Sequence, residues 1–268
     1  MTSNITGGVT NRVAERLARG EVSLCLGTRV FRTVDIAMIA QACGFDAFYI
    51  DMEHSTASLE TAAQLCGASL GLGITPLVRT PGHQGHVASR LLDAGALGII
   101  YPHVNTGAEA EAFVAACKFP PLGHRSVGGS GPTMLYRPTP LAEVNRLGNE
   151  LTLCIAMIET PQGVANAAAI AAVPGIDMLL IGSNDLCTEL GIPGDLHHRE
   201  LRRAYEAVGA ACKAHGKHLG IGGIRGDLKL TQSLLQLGAL FMIAGMDVNY
   251  LMAAARKDAD AIRALMPA

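Results

Sequence analysis

The sequence predicts a TIM (β/α)8 barrel formed by a single domain, residues 1–268. Two observations carry this prediction. Short apolar runs alternate with helical patterns eight times along the chain, which is the order of a barrel of eight strand–helix units. The runs are also almost continuously apolar, which is typical of parallel strands buried on both faces. A doubly wound open sheet is the alternative, but no G-x-G-x-x-G motif follows the first run.

The candidate strands and helices alternate in order along the chain. The eight apolar runs are residues 22–28, 47–52, 75–80, 97–103, 151–159, 177–183, 218–223 and 240–246. Seven stretches repeat apolar residues every three to four positions, and most end in glycine, as helices do: 33–44, 58–71, 84–95, 107–118, 164–175, 199–216 and 227–238.

Two segments depart from this alternation. Residues 119–140 are dominated by glycine and proline and show no period. A long loop of this kind inside a compact domain usually has a function, and we expect it to cover the mouth of the barrel. Residues 249–268 form an amphipathic pattern, which we expect to be a helix packing on the barrel or on a neighbouring subunit.

Composition excludes several classes of function. The formal net charge is −2, aromatic residues make up 4% and tryptophan is absent, so the basic surface and stacking side chains of a nucleic-acid binder are missing. No apolar run approaches the ~20 residues of a membrane span. The first twelve residues lack the apolar core of a signal peptide, and the seven cysteines show no paired spacing. We expect a cytoplasmic protein with reduced thiols and neither a nucleic-acid nor a membrane partner.

Polar side chains follow the ends of five consecutive candidate strands, the face on which active sites of such barrels lie. They are Asp51, Glu53 and His54 after the second run, Arg79 after the third, His103 after the fourth, Glu159 after the fifth, and Ser183, Asn184 and Asp185 after the sixth.

Glu159 and Asp185 predict a metal site. Each ends an apolar strand, and the two strands are consecutive, so the carboxylates should be neighbours. Two buried carboxylates repel each other, and a divalent cation relieves that repulsion. Oxygen ligands with open positions suit Mg²⁺ or Mn²⁺. The alternative is that Glu159 caps a helix and Asp185 pairs with an arginine.

Arg79 and His54 add an oxyanion-binding group and a base. A planar guanidinium can hold a carboxylate or stabilise an oxyanion, and histidine titrates near neutral pH. The alternatives are an ordinary ion pair of Arg79 with Glu159 or Asp51, and a structural role for His54. Together with a metal, the two groups suit enolate chemistry on a 2-oxo acid. None of the five lysines ends a candidate strand, which argues against a lysine-imine mechanism.

Six motifs in order make the sequence resemble the HpcH/HpaI family of metal-dependent aldolases between about residues 22 and 247. They are FYIDMEHS, PLVRTP, LLDAGALGIIYPHV, GHRSVGG, MIET and LLIGSNDL. The resemblance implies a TIM barrel that assembles as a homohexamer and exchanges its C-terminal helix between subunits.

The resemblance also implies roles for individual residues. Glu159 and Asp185 would hold a divalent metal ion, Mg²⁺ or Mn²⁺ with Co²⁺ as a further possibility. His54 would be the base and Arg79 the residue that stabilises the enolate, while Asp51 would orient the water ligands of the metal. Asp93 would raise the basicity of the histidine. Because Asp93 ends a helix, it should lie at the strand-start face and reach a histidine only in a neighbouring subunit; the alternative is a structural role.

The chain departs from the best-known aldolase branch at three positions. Met157 stands where those enzymes commonly have glutamine, and Ser183 and Asn184 stand where they have Pro-Ala. These residues look like the macrophomate-synthase branch, which implies substrate contacts for Ser183 and Asn184. Tyr136 matches a substrate-contacting tyrosine of the same branch.

The leading hypothesis is a metal-dependent carbon–carbon lyase that cleaves a 2-oxo-4-hydroxy acid to pyruvate and an aldehyde through a pyruvate enolate. The second is an oxaloacetate decarboxylase, or a macrophomate-synthase-like enzyme, using the same enolate. A barrel that binds a metabolite without catalysis is a third. A phosphate-binding isomerase, with the glycines of 220–223 around the phosphate, is a fourth.

Overall fold

A computed structural model describes residues 9–265, and in it the eight strands form a closed parallel barrel in chain order. The ring closes because β8 pairs with β1, where Cys25 lies opposite Ile243. The strands are β1 Ser23–Thr28, β2 Ala47–Asp51, β3 Thr75–Arg79, β4 Gly98–Tyr101, β5 Leu153–Ile158, β6 Met178–Gly182, β7 His218–Gly222 and β8 Ala239–Met246. The predicted fold class is confirmed. The parts of the domain prediction at residues 1–8 and 266–268 lie outside the described residues.

Twelve α-helices of the described chain surround the barrel. They are α1 Arg12–Ala18, α2 Asp35–Ala42, α3 Leu59–Ser69, α4 Gly85–Asp93, α5 Gly107–Cys117, α6 Leu141–Leu151, α7 Pro161–Ala165, α8 Ala167–Ala172, α9 Ser183–Glu189, α10 Arg199–Ala214, α11 Leu228–Gln236 and α12 Asp247–Arg263. Every predicted helical stretch contains one of them. Helices α1, α6, α9 and most of α7 were not expected, and α9 begins in the polar residues directly after β6. None of the helices described here has the length and apolar character that crossing a bilayer requires.

The strands are continuously apolar because both of their faces are buried. Tyr49, Leu77 and Phe241 point into the barrel and fill its interior. The neighbouring residues Phe48 and Val78 point outward and pack beneath the surrounding helices. Successive residues of a strand therefore lie alternately in the barrel interior and under the helices, and both environments are apolar. For this reason no alternating polar face appears in the sequence.

The glycine- and proline-rich segment 119–140 lies at the strand-start face, so the prediction that it covers the mouth is wrong. The segment follows α5, which runs back from the mouth to the opposite end of the barrel. Its Arg125 donates a 2.6 Å hydrogen bond to Asp93 at the end of α4. A Cβ on Gly131 would lie 3.3 Å from the backbone oxygen of Asp93.

Asp247 joins the last strand to the first at the strand-end face. Its buried carboxylate accepts hydrogen bonds from the Thr28 hydroxyl at 2.8 Å and from the backbone N–H groups of Arg29, Val30 and Phe31. Burial alone would raise the pKa of Asp247, but these hydrogen bonds outweigh it and hold the pKa below its usual value. The loop after β1 is thus anchored on a charge.

Replacing Asp247 with asparagine should lower the free energy of unfolding at pH 7 by about 2 kcal/mol, since hydrogen bonds to a charged acceptor are lost. A carboxyl with a depressed native pKa stabilises the fold above its unfolded pKa, and that contribution disappears as pH falls through the native pKa. Urea unfolding of both proteins at pH 7 and near pH 3 measures the difference, which should shrink in acid. Asp258→Asn, at an exposed position of α12, is the control. Equal stabilities at pH 7 would contradict the anchoring role.

Helix α12 leaves apolar side chains exposed. Leu251, Met252 and Ile262 are 55%, 53% and 66% exposed. Leu251 also lines a groove of about 410 Å³ together with Phe31 and Ile39. The predicted packing of residues 249–268 on a neighbouring subunit stays a prediction, and residues 266–268 lie outside the described part of the chain.

Candidate active site

The polar residues that follow the strands gather around a cavity of about 640 Å³ at the strand-end face. Of the predicted site residues, those lining it are His54, Arg79, Ser183, Asn184 and Asp185. The apolar part of the lining includes side chains from the barrel interior, Tyr49, Met157, Ile243 and Met246. Asp51 and Glu159 are fully buried and contact the residues around this cavity. The structure therefore brings together seven of the nine predicted site residues.

Asp51 holds two arginines in place. Its Oδ1 and Oδ2 accept hydrogen bonds from Arg79 Nε at 3.0 Å and Arg79 Nη2 at 2.7 Å, a bidentate pair. Arg29 Nε donates to the same Oδ2 at 2.6 Å, and the backbone N–H groups of Glu53 and His54 donate to Oδ1. Protein donors thus occupy the carboxylate, so the structure does not support the expected role of Asp51 in orienting metal-bound water.

The charge of Arg79 is strongly favoured. Burial of the guanidinium opposes its charge, but the hydrogen bonds to Asp51 and the charges of Asp51 and Glu53 together outweigh this and raise the pKa of Arg79 above its ordinary value. Burial likewise opposes the charge of Asp51, and its bonds to Arg79 hold the pKa of Asp51 low. Arg79 Nη1 also lies 2.9 Å from Glu53 Oε2. The ion pair considered for Arg79 exists, and the same side chain still lines the cavity.

Glu159 carries an unsatisfied oxygen. Its Oε2 accepts a hydrogen bond from the backbone N–H of His103 at 2.9 Å, while Oε1 is buried without a hydrogen-bond partner among residues 9–265. Burial raises the pKa of Glu159 to about 8; Asp185 and Glu53 add to the rise, against the hydrogen bond from His103 and the charge of Arg79. The charged form of Glu159 is therefore unfavourable unless a cation binds at the free Oε1.

Gly182 and Asp185 complete the surroundings of Glu159. A Cβ at Gly182 would lie 2.5 Å from Glu159 Oε1, so the carboxylate takes the space that any other residue would fill. Asp185 is in the first turn of α9 and is half-buried in the cavity wall. Within residues 9–265 no group of three or more His, Cys, Asp or Glu side chains is arranged to hold a metal ion. Two carboxylates nevertheless fit Mg²⁺, which usually keeps most positions for water and substrate.

Two histidines lie at the rim with Glu53 between them. The His54 side chain is 46% exposed, and its Nε2 is 3.9 Å from Glu53 Oε2. His103 Nε2 is 3.4 Å from Glu53 Oε1, and its Nδ1 is 3.6 Å from Glu159 Oε2. His103 is also one of the few non-glycine residues with a positive φ, 51°. Glu53 and His103 end predicted strands, but nothing in the sequence assigned them a partner.

Ser183 and Asn184 start α9 directly after β6. The buried Ser183 hydroxyl accepts a 2.9 Å hydrogen bond from Tyr205, which ties α9 to α10. Asn184 is exposed in the cavity wall and packs beside Gly223, where an added Cβ would lie 3.2 Å from the Asn184 amide nitrogen. Both residues are placed to contact a ligand, and their substrate-binding role stays a prediction.

Asp93 and Tyr136 are not brought to the cavity of their own chain. Asp93 ends α4 at the strand-start face and pairs with Arg125. Tyr136 lies in the 119–140 segment and is 74% exposed. The position of Asp93 agrees with the expectation that it can act only on another subunit. The predicted substrate contact of Tyr136 has no support within one chain, because the segment that carries it is at the other end of the barrel.

The lysines and cysteines fit the predicted chemistry. All five lysines lie within the described residues, and none lines the cavity. The seven cysteines are free, and only Cys43 is exposed.

Buried carboxylates, a histidine and a clamped arginine meet around one cavity at the strand-end face, where barrel enzymes have their active sites, and the comparisons place the chain in the carbon–carbon lyase class. The family model described as HpcH/HpaI aldolase/citrate lyase matches residues 32–254. The chain belongs to this family. The hypotheses of a barrel without catalysis and of a phosphate-binding isomerase are therefore wrong.

Two of the known proteins that are similar to this chain are named as aldolases, and a third shares its fold. The 4-hydroxy-4-methyl-2-oxoglutarate aldolase tasA of Hapsidospora irregularis is 40% identical and covers 95% of this chain and 96% of its own. The crystal structure of an HpcH/HpaI aldolase from Desulfitobacterium hafniense DCB-2 has a TM-score of 0.90 at 28% identity, covering 97% and 98% of the two chains. Macrophomate synthase, at 24% identity and a TM-score of 0.81, covers 98% of this chain and 92% of its own and shares the fold.

Proposed function

We propose that the protein is a divalent-metal-dependent aldolase that makes and breaks a carbon–carbon bond through a pyruvate enolate. The observation that carries this proposal is the juxtaposition of a buried, cation-deficient Glu159 with the clamped guanidinium of Arg79 around one cavity. Family membership and the aldolase name of the relative support it.

Glu159 and Asp185 would hold the metal ion. The buried Glu159 Oε1, which has no partner among residues 9–265, and the cavity-facing Asp185 are hard oxygen donors that follow consecutive strands, a set that suits Mg²⁺, Mn²⁺ or Co²⁺. The bound ion would supply Lewis-acid polarisation of the substrate carbonyl.

Arg79 would stabilise the negative charge that develops on the C2 oxygen of the substrate. Asp51 takes two of its N–H groups in a bidentate pair, which fixes the plane of the guanidinium. A donor already in position loses little free energy to reorganisation when the charge forms. We assign Asp51 as the residue that positions Arg79, with Arg29 as the second cation that compensates its charge.

His54 would move the proton. In the cleavage direction His54 accepts the proton of the C4 hydroxyl, the C3–C4 electron pair passes into the enolate as C4 becomes a carbonyl, and a proton returns to C3. The histidine is exposed at the rim, and its backbone N–H is held by Asp51. Asp93 of a neighbouring subunit would support it in the predicted homohexamer.

The relative suggests which substrates to consider. Cleavage of a 4-hydroxy-4-methyl-2-oxo diacid between C3 and C4 releases pyruvate and a second 2-oxo acid, where a secondary alcohol would release an aldehyde. We therefore infer that the electrophile of this enzyme is a small carbonyl compound that bears a carboxylate. Catalysis of oxaloacetate decarboxylation through the same enolate is the second candidate, favoured by Met157, Ser183 and Asn184 in the cavity wall.

Deuterium exchange into the pyruvate methyl group tests enolate formation. In D₂O we expect NMR to show exchange with Mg²⁺ or Mn²⁺ present and none after EDTA treatment. Without an ion at Glu159 and Asp185, no Lewis acid would polarise the pyruvate carbonyl. Restoring the metal should restore the rate. Absence of exchange under every metal would count against a pyruvate aldolase and favour decarboxylation of oxaloacetate.

Assembly and location remain predictions. The exposed apolar side chains of α12 support the predicted exchange of this helix in a homohexamer. Cytoplasmic location, with small 2-oxo acids as the ligands and neither nucleic acid nor membrane as a partner, is an expectation from composition.

A further inference from the structure

Arg225 is a cation in the cavity wall that the proposed chemistry does not use. Three arginines line the cavity: Arg29, Arg79 and Arg225. The first two are compensated, since both pair with Asp51 and Arg79 also contacts Glu53. Arg225 takes part in none of the ion pairs found among the described residues. Within residues 9–265, one positive charge in the wall is therefore left without an ion-pair partner.

The connection between β7 and α11, residues 223–227, presents Arg225. Gly223 and Gly226 have φ values of 88° and 83°, conformations that favour glycine, so the chain turns sharply on both sides of Ile224 and Arg225. Ile224 is buried and fixes the loop to the core. Gly223 packs on Asn184, which links the loop to the neighbouring part of the cavity wall, at the end of β6.

Helix α12 supports the Arg225 side chain. The guanidinium carbon lies 5.0 Å from the centroid of the Tyr250 ring, within the range of a cation–π contact. Tyr250 in turn lies edge-on to Phe45, with ring centroids 6.4 Å apart. Stacking restricts the plane of the guanidinium and leaves its edge, which carries the N–H donors, free for a planar anion.

We propose that Arg225 is a specificity-determining residue that binds the second carboxylate of the substrate, the one on the electrophile half. This inference rests on the proposed aldol chemistry and names the substrate class: 2-oxo-4-hydroxy diacids, cleaved to two carboxylate-bearing carbonyl compounds. Arg79 and the carboxylate pair of Glu159 and Asp185 serve the enolate half. A guanidinium without a protein partner is suited to a carboxylate because the two groups can form paired hydrogen bonds.

Binding of two non-cleavable analogues tests the assignment without turnover. 2-Oxoglutarate and 2-oxopentanoate have five carbons and the same 2-oxo acid end, and differ only in the terminal carboxylate. Titration calorimetry with Mg²⁺-supplemented protein should show tighter binding of 2-oxoglutarate. Arg225→Ala should weaken it by about 30-fold or more, the effect of losing a charge-assisted pair of hydrogen bonds, while 2-oxopentanoate changes less than about threefold.

Two further variants define the outcome. Arg225→Lys keeps the charge without the planar fork and should fall between wild type and alanine. Lys229→Ala removes an exposed positive charge four residues away, outside the cavity, and should bind both ligands as wild type does. Equal weakening of both ligands in Arg225→Ala, or no weakening of 2-oxoglutarate, would overturn the proposal. Pyruvate deuterium exchange reports the enolate chemistry separately, so failure of one hypothesis is distinguishable from failure of the other.

Discussion

Glu159→Gln is expected to abolish tight Mn²⁺ binding and with it pyruvate enolisation. The substitution keeps the volume of the side chain but replaces a carboxylate oxygen of the proposed ligand set with an amide. Losing a residue that only supports a metal ligand typically costs 10–100-fold in affinity, so losing a ligand should cost at least about 100-fold. Mn²⁺ affinity can be measured by electron paramagnetic resonance and enolisation by exchange into pyruvate. Wild-type affinity in the variant would defeat the assignment.

The stability of the metal-free protein should depend on pH through Glu159, and the Glu159→Gln variant tests this. In the metal-free protein Glu159 has a pKa of about 8, above its unfolded value near 4.5. A carboxyl with a raised native pKa contributes its full stability below the unfolded pKa, and that contribution is lost as pH rises through the native pKa. Metal-free wild type should therefore lose stability between about pH 4.5 and pH 8. Glu159→Gln should lack this slope, and equal slopes in the two proteins would show that Glu159 is not the titrating group.

Arg79→Ala is expected to slow metal-supported deuterium exchange into pyruvate by roughly 10²- to 10³-fold, the range for removal of one oxyanion-stabilising donor. The same change leaves Glu53 without its arginine partner and Asp51 with Arg29 alone, and should destabilise the fold by about 3 kcal/mol. Exchange rates are therefore measured well below the melting temperature of the variant.

A matched control separates the two effects of removing Arg79. Arg12 pairs with buried Asp46 at 2.7 Å, and Asp46 precedes β2 at the other end of the barrel. Arg12→Ala should lower stability without lowering the exchange rate per folded molecule. Arg79→Lys should recover the charge but only part of the rate, because lysine cannot form the bidentate pair with Asp51. Near wild-type exchange in Arg79→Ala would return Arg79 to a purely structural role.

Much of the fold and the site was predictable because a parallel barrel places its strand ends on one face. That rule brought Glu159 and Asp185, 26 positions apart, close enough to interact, with Asp185 in the cavity wall and Glu159 buried behind it. The same rule would have placed residues 119–140 at the strand-start face, because a segment that follows a helix starts at the face opposite the strand ends. Pairings across loops were not predictable: that Asp51 binds Arg29 as well as Arg79 depends on how the loop after β1 folds, and Asp247 anchors that loop. Arg225 stands in a short glycine-rich turn whose sequence carries no periodic signal.

The five-residue connection after β7 has a consequence for the engineering of this enzyme. Groups assigned to enolisation come from the ends of β2, β3, β5 and β6, whereas residues 223–227 face only the incoming electrophile under the present proposal. A combinatorial library confined to this turn, with Ile224 kept as its apolar anchor, would vary the choice of electrophile while sparing the reaction itself. Shortening the turn would also withdraw the cation from Tyr250, so diversity should be introduced by residue exchange at constant length.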